Sequence, residues 1–162
     1  MNGKQRIVAA LNLQPVDRTP VWFMRQAGRH LPEYRKIAAE HNFWERCMDV
    51  DLCKTITLQP LERYQKIDAA IIFSDILTPL PSLGYDVEYG GGIRISDFNL
   101  DDVDDWINFS ARKHAPWAAD GLQAVGEEIG DTTARLGFVG SPWTICMLSL
   151  IHISEPTRQS LI

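Results

Sequence analysis

The stretch PVWFMRQAGRHLPEYR, residues 20–35, decides the reading of the fold. Val21-Trp22-Phe23-Met24 is a short unbroken apolar run, the pattern of a strand covered on both faces as in a parallel sheet. The run stops at Arg25-Gln26-Ala27-Gly28-Arg29-His30. Pro32 and Glu33 then supply residues that favour a helix N-terminus, which predicts a helix over 32–40. The same succession returns further along the chain. Asp68 to Phe73 (DAAIIF) is a second apolar run ending at Ser74-Asp75. Arg135 to Val139 is a third, and Pro142 after it reads as the first residue of another helix. Residues 43–64 carry apolar positions at three- and four-residue spacing, a helical stretch that Pro60 is expected to kink or split. A further helical region is expected from Asp101, Asp102, Asp104 and Asp105 through about Glu128. Residues 4–13 predict a short amphipathic helix, and 85–95 a hairpin with one exposed face that turns at Gly90-Gly91-Gly92. Strands separated by helical sequence imply βαβ winding and an α/β class.

The composition suits that class. Of the 162 residues, 45% are hydrophobic and 23% charged, ordinary proportions for a globular domain. Sixteen basic residues against 21 acidic ones leave a net charge of −5, which excludes a generally basic nucleic-acid binder. No apolar run approaches the roughly 18 residues of a membrane span. The N-terminus shows no secretory signal, and Cys47, Cys53 and Cys146 form neither a disulfide framework nor a zinc pattern, so a reducing cytoplasm is expected.

Two constellations could carry chemistry. In Arg25-Gln26-Ala27-Gly28-Arg29 two guanidiniums stand four residues apart around a small Ala-Gly pair. Gly28 can take backbone angles closed to other residues, and paired arginines bind carboxylates or phosphates through planar, always-charged donors. The alternative is a solvated loop. Asp75 leaves a buried strand, where a carboxylate is costly unless paired or used; its alternative role is to cap the following turn. In parallel α/β folds ligands bind at the C-terminal ends of strands, the end from which both groups are expected to project. Two cations above one anion suit a ligand with carboxylates outside and N–H donors inside. The four acidic residues at 101–105 do not match a calcium loop. The triple glycine lacks phosphate-loop spacing. The four histidines form no i, i+4 pair, and no metal site is expected.

With these residues in view, the chain resembles the uroporphyrinogen decarboxylase family. The resemblance rests on PVWFMRQAGRHLPEYR (20–35), TLQPLERYQKIDAAIIFSDILT (57–78) and GFVGSPWT (137–144), and covers most of 4–147. It implies the incomplete N-terminal part of a (β/α)8 TIM barrel. It also implies a cytoplasmic homodimer in haem and tetrapyrrole biosynthesis that decarboxylates the four acetate side chains of uroporphyrinogen III, giving coproporphyrinogen III, with neither metal nor organic cofactor. On this resemblance Arg25, Arg29 and Asp75 are catalytic, and Arg25, Gln26, Ala27, Gly28, Arg29 and Asp75 bind substrate. Asp75 would accept the inward pyrrole N–H groups and stabilise the cation that forms on protonation. The proton could come from Arg25 or Arg29, or from a water or substrate carboxylate relayed by arginine, since arginine holds its own proton tightly.

The sequence departs from the family pattern in places. His30 stands where the family carries an aromatic Tyr, and Leu148 where it carries a substrate-contacting tyrosine. Residues 148–158, LSLIHISEPTR, resemble a translated sequencing adaptor and complete no helix. The expectation is therefore a barrel part over 1–147 and a non-native tail over 148–162. Such a polypeptide would leave its last strand as an open edge, aggregate or stay partly folded, and be inactive. Two further readings stand beside the decarboxylase: a non-catalytic tetrapyrrole-binding module that pairs with another chain, and a related corrinoid-linked methyltransferase. The intact arginine pair argues against the second.

Overall fold

The computed structural model describes residues 1–24, 28–89, 93–96, 104 and 107–154. In chain order the elements are α1 (Gly3–Leu11), α2 (Pro32–Glu40), α3 (Phe43–Met48), α4 (Val50–Arg63), β1 (Ala69–Ile71), α5 (Pro79–Ser82), β2 (Val87–Tyr89), β3 (Ile93–Ile95), α6 (Ala111–His114), α7 (Pro116–Ile129), β4 (Ala134–Leu136) and α8 (Pro142–Ser154). They divide into two compact units. Met1–Ser74 and Trp117–Phe138 form the first; the second is built from Asp75–Pro116 and the chain from Val139 onward.

Local chemistry sets most helix ends of the first unit. Asn2 with Gln5, and Asn42 with Glu45, form reciprocal capping boxes at the starts of α1 and α3. Pro32 opens α2 with Glu33 in its first turn, as expected. The stretch 43–64 is indeed split, but not at Pro60. The break lies at Asp49, whose side chain accepts the Leu52 N–H and caps α4. Pro60 sits in the last turn of α4, where its missing N–H removes only one bond of a helix about to end. α1 closes with Leu13 N–H on Ala10 O (3.1 Å) and Gln14 N–H on Ala9 O (2.9 Å). That closure places Leu13 at φ 56, a conformation usually taken by glycine.

β1 and β4 pair in parallel, with Ala69, Ala70 and Ile71 opposite Ala134, Arg135 and Leu136. The core packs α4 and α7 against this pair: Cys53, Ile72, Val125 and Ile129 are buried together, with Leu58, Leu61, Phe73 and Leu122 against them. A second cluster joins Leu31, Tyr34 and Ile56. Arg46, also buried, has its guanidinium over the rings of Tyr34, Phe43 and Phe73 at 5.2, 5.7 and 6.0 Å and donates to the Tyr34 hydroxyl.

The run 21–24 is not a ladder strand. Val21 is tied to the residue that precedes β1, its carbonyl accepting the Asp68 N–H at 2.8 Å. Beyond Val21 the segment diverges; Phe23 and Met24 are 56% and 77% exposed. A cleft of about 590 Å3 opens beside it, lined among others by Val21, Phe23, Tyr64 and Ile67. An apolar run specifies burial only when a partner strand offers a full row of backbone groups, and no ladder forms over 21–24. The third run is likewise shorter than expected. β4 ends at Leu136, leaving Phe138 and Val139 exposed at 37% and 89%.

In the second unit β2 and β3 form the antiparallel hairpin, Val87 opposite Ile95 and Tyr89 opposite Ile93. Val87 is buried and Glu88 exposed, as the one-sided pattern expects, but Tyr89 on the face of Val87 is exposed as well; the glycines at 90–92 lie outside the described residues. The helical region expected from 101 is interrupted at Ala115, with Pro116 beginning α7; residues 101–103, 105 and 106 lie outside the described residues. α8 continues through Leu148 to Ser154, against the expectation that 148–158 complete no helix. The apolar residues from Met147 to Ile153 are adequate helix formers, and no proline intervenes before Pro156.

Candidate functional site at the ends of β1

Asp68 precedes β1 and is the most deeply buried carboxylate among the described residues. Its side chain is 2% exposed. Oδ1 accepts from Arg6 Nη1 (2.5 Å) and Arg18 Nη2 (2.8 Å). Oδ2 accepts from Arg18 Nη1 (2.7 Å) and the Val21 N–H (2.8 Å). Burial alone would raise its pKa. The Val21 N–H and the two guanidiniums outweigh that and hold it below the ordinary carboxylate value. Arg6 is shared with Asp17, through Nε to Oδ1 (2.6 Å) and Nη2 to Oδ2 (2.8 Å), and Asp17 is also held low, chiefly by these bonds. An added Cβ on Gly3 would stand 2.7 Å from the Asp68 carbonyl oxygen, so α1 approaches β1 here as only glycine allows. In sequence Asp68 reads only as the first residue of a strand, which hides this node. The available signal was a carboxylate opening an apolar run.

At the other end of β1, side chains of α4 hold the strand's exit. Phe73 N–H donates to Thr57 Oγ1 (2.9 Å), whose hydroxyl donates to Cys53 O (2.7 Å), and Cys53 Sγ donates to Phe73 O (3.2 Å). Thr57 and Cys53 are 1% and 2% exposed. Burial pushes the Cys53 thiol up to about 11, so it behaves as a small hydrophobe with a weak donor. Cys47, 2% exposed, is another small core residue.

Asp75, two residues on, belongs to the second unit and is half-buried. Its Oδ1 accepts the Leu77 N–H at 2.7 Å, and its carbonyl accepts from Thr78 Oγ1 (2.6 Å) and Thr78 N–H (3.2 Å). The turn-capping role is therefore real, but it occupies one carboxylate oxygen. Oδ2 has no hydrogen-bond partner among the described residues.

Of the arginine segment, Arg25, Gln26 and Ala27 lie outside the described residues. Gly28 has φ +148, the freedom expected of it. Leu31 N–H donates to its carbonyl at 3.0 Å. Arg29 is exposed and makes no ion pair among the described residues, whereas Arg6, Arg18 and Arg63 are all paired with carboxylates. Its backbone is held instead: Arg35 Nη1 donates to the carbonyls of Arg29 (2.9 Å) and His30 (3.3 Å). His30 Nε2 lies 3.1 Å from the Tyr64 hydroxyl. Gly28 and Arg29 are in the first unit and Asp75 in the second.

Among the described residues no three His, Cys, Asp or Glu side chains are grouped to hold a metal ion, and no helix is long and apolar enough to cross a membrane.

Comparison with known proteins bears on this arrangement. A family model described as Uroporphyrinogen decarboxylase (URO-D) matches residues 2–153. Uroporphyrinogen decarboxylase of Pseudomonas paraeruginosa is 42% identical over 145 residues, covering 86% of this chain and 41% of that protein. The protein of that name in Chromohalobacter salexigens is 42% identical over 146 residues, with the same coverage. The one in Magnetococcus marinus is 36% identical over 154 residues, 90% of this chain and 42% of that protein. The chain thus spans about two fifths of the length of the curated relatives it matches. Among solved structures, a methyltransferase from Methanosarcina mazei superposes with a TM-score of 0.68 at 17% identity, over 99% of this chain and 48% of that one. That likeness concerns the fold alone. With the parallel β1–β4 pair it identifies the N-terminal part of a (β/α)8 barrel.

Proposed function

Because this chain belongs to the uroporphyrinogen decarboxylase family, we propose that it contributes the arginine and aspartate groups of a cytoplasmic, homodimeric decarboxylase acting on uroporphyrinogen III. The observation that carries the proposal is Asp75: it stands just past β1, at the C-terminal end where barrel enzymes place their chemistry, with one carboxylate oxygen free among the described residues. Arg29, exposed and without an ion pair among the described residues, supports the same reading, because a substrate with eight carboxylates needs cations not already committed to the fold.

In the proposed reaction a ring carbon of one pyrrole takes up a proton. The ring becomes cationic and accepts the electron pair of the C–C bond that joins the acetate methylene to its carboxylate. That bond breaks, carbon dioxide leaves, the methylene carbon takes a proton to become a methyl group, and the ring carbon gives up the proton it first took, which restores the neutral pyrrole. Asp75 accepts pyrrole N–H groups and stabilises the cation electrostatically. Arg25 and Arg29 hold carboxylates, while the proton comes from one of them or from a water or substrate carboxylate they orient. No metal or organic cofactor enters these steps, since the protonated ring is itself the electron sink.

The test is a hybrid protein in which residues 4–147 replace the matching stretch of the Pseudomonas paraeruginosa relative. Anaerobic turnover of uroporphyrinogen, followed by chromatography of the oxidised porphyrins, is expected from it. Asp75→Asn should lower kcat by about 100- to 1000-fold, the usual cost of removing one preorganised electrostatic group. A folded hybrid that turns nothing over, or an Asp75→Asn variant with unchanged kcat, would defeat the proposal.

A further inference from the structure

We propose that His30 is a further carboxylate-binding residue beside Arg29, donating through Nδ1, and that Tyr64 is its positioning residue. The inference deepens the proposed function and rests on the reading of this turn as a place where substrate carboxylates are held.

Arg29 and His30 are the two central residues of a turn that the Leu31 N–H closes on the Gly28 carbonyl at 3.0 Å, and both are exposed. The turn has a firm seat. Leu31 is 1% exposed in the cluster with Tyr34 and Ile56, and Tyr64 packs against the same cluster. Arg35 Nη1 donates to both central carbonyls, so a second guanidinium stands against the turn. Glu33 on the same helix is committed to Arg63 and does not offset that charge. Within this setting the His30 ring has one defined bond: Nε2 lies 3.1 Å from the Tyr64 hydroxyl. That hydroxyl has one proton to give, and Nε2 is its hydrogen-bond partner among the described residues. Giving it there makes Nε2 the acceptor and puts the imidazole's own proton on Nδ1. Nδ1 has no hydrogen-bond partner among the described residues. It faces Gly28, where an added Cβ would stand 4.0 Å from it, and the glycine that φ +148 demands leaves that side of the ring open. An N–H donor next in sequence to a guanidinium without an ion pair among the described residues suits a ligand that carries several carboxylates, each with two oxygens to satisfy. A ring that served only to tether the turn to α4 would be indifferent to such a ligand.

Long-range nitrogen–proton NMR of the imidazole in the full chain reads the tautomer directly, at about pH 8.5, where an ordinary histidine ring is neutral. The His30 proton should reside on Nδ1, and the Nδ1 signal should shift on adding succinate or an octacarboxylate porphyrin. Porphyrin affinity would be followed by fluorescence in the same protein and in variants. His30→Phe should weaken binding about 10-fold, the lower end of what a hydrogen bond to a charged group is worth, as suits an exposed position. Tyr64→Phe should spread the proton over both ring nitrogens and weaken binding by less. Adding Tyr64→Phe to His30→Phe should cost nothing more, because the positioned ring is already gone. His30 is exposed and Tyr64→Phe keeps the aromatic ring, so neither substitution should move the thermal midpoint. A His30 proton on Nε2, or an Nδ1 signal that neither ligand shifts, would overturn the inference. Porphyrin binding that His30→Phe leaves unchanged would also overturn it, while the substrate reading stands. Succinate that shifts Nδ1 in a chain that ignores the porphyrin would overturn the substrate reading and leave His30 a carboxylate-binding residue.

Discussion

Asp68 and Asp75 stand at the two ends of β1, seven residues apart, and their charges are answered in opposite ways. Asp68, at the N-terminal end, accepts from two arginines and a backbone N–H and is withdrawn from water. Asp75, at the C-terminal end, gives one oxygen to the turn that follows and leaves the other without a partner among the described residues. The difference matches the division of labour in barrel enzymes, where the N-terminal face of the strands serves stability and the C-terminal face serves chemistry. A carboxylate surrounded by fixed cations is bound into the fold. One that keeps an oxygen free can answer a charge that appears only during a reaction.

The sharpest way to break the comparison is to remove each carboxylate and measure stability by urea unfolding. Asp68→Ala should cost about 3–5 kcal/mol, because it leaves buried Arg6 without its deepest partner. Asp75→Asn retains an acceptor for the Leu77 N–H and should stay within about 1 kcal/mol of the parent. Equal losses from the two substitutions would mean that the ends of β1 are not specialised.

Acid should reach the same contrast without mutation. Asp68 is held below its ordinary value by the Val21 N–H and two arginines and Asp17 by Arg6, and Arg63, with two bonds at 2.8 and 2.9 Å, lowers Glu33 to about 2 from an ordinary 4.5. Folded values below unfolded ones contribute stability that is complete above the unfolded range and is lost as pH falls through the folded values. The urea midpoint should therefore be steady above pH 4.5 and fall between there and about 2. Asp68→Asn should flatten that fall, and an unchanged slope would remove Asp68 from the acid-sensitive set.

A smaller effect tests how the exit of β1 is held. Thr57→Val keeps the shape of the buried side chain but leaves the Phe73 N–H without its acceptor, an expected loss of about 1–3 kcal/mol in unfolding experiments. A Thr57→Val chain as stable as the parent would show that Thr57 does not hold the strand's exit. The smallest effect lies away from both ends. Leu13 is 96% exposed at φ 56, so Leu13→Gly should raise stability by about 1 kcal/mol by relieving the left-handed strain without losing burial. A drop instead would mean that the leucine side chain contributes more than its exposure suggests.

Much of this was legible in the chain itself because the signals are short-range. Pro32 and Glu33 opened α2, Pro142 opened α8, and the alternation in 85–95 marked the hairpin. Asp75 was legible as a carboxylate at the end of an apolar strand. Less visible was which of several apolar runs would find a partner. Val21–Met24 and DAAIIF look alike in sequence, yet only the second joins a ladder.

The sequence by itself determined the α/β class, the starts of α2 and α8, the apolar run 68–73 that holds β1, the arginine segment and the family. Each of these depends on residue type and spacing within a few positions, which a linear chain displays directly. The tertiary structure alone decided that Asp68 belongs to Arg6 and Arg18, 62 and 50 residues away, that Arg35 holds the backbone of Arg29, and that Arg29 itself has no ion-pair partner among the described residues. An acidic or basic residue looks the same in sequence whether its charge is compensated or free. Compensation is a matter of distance in space, and only folding brings the compensating groups within hydrogen-bond reach.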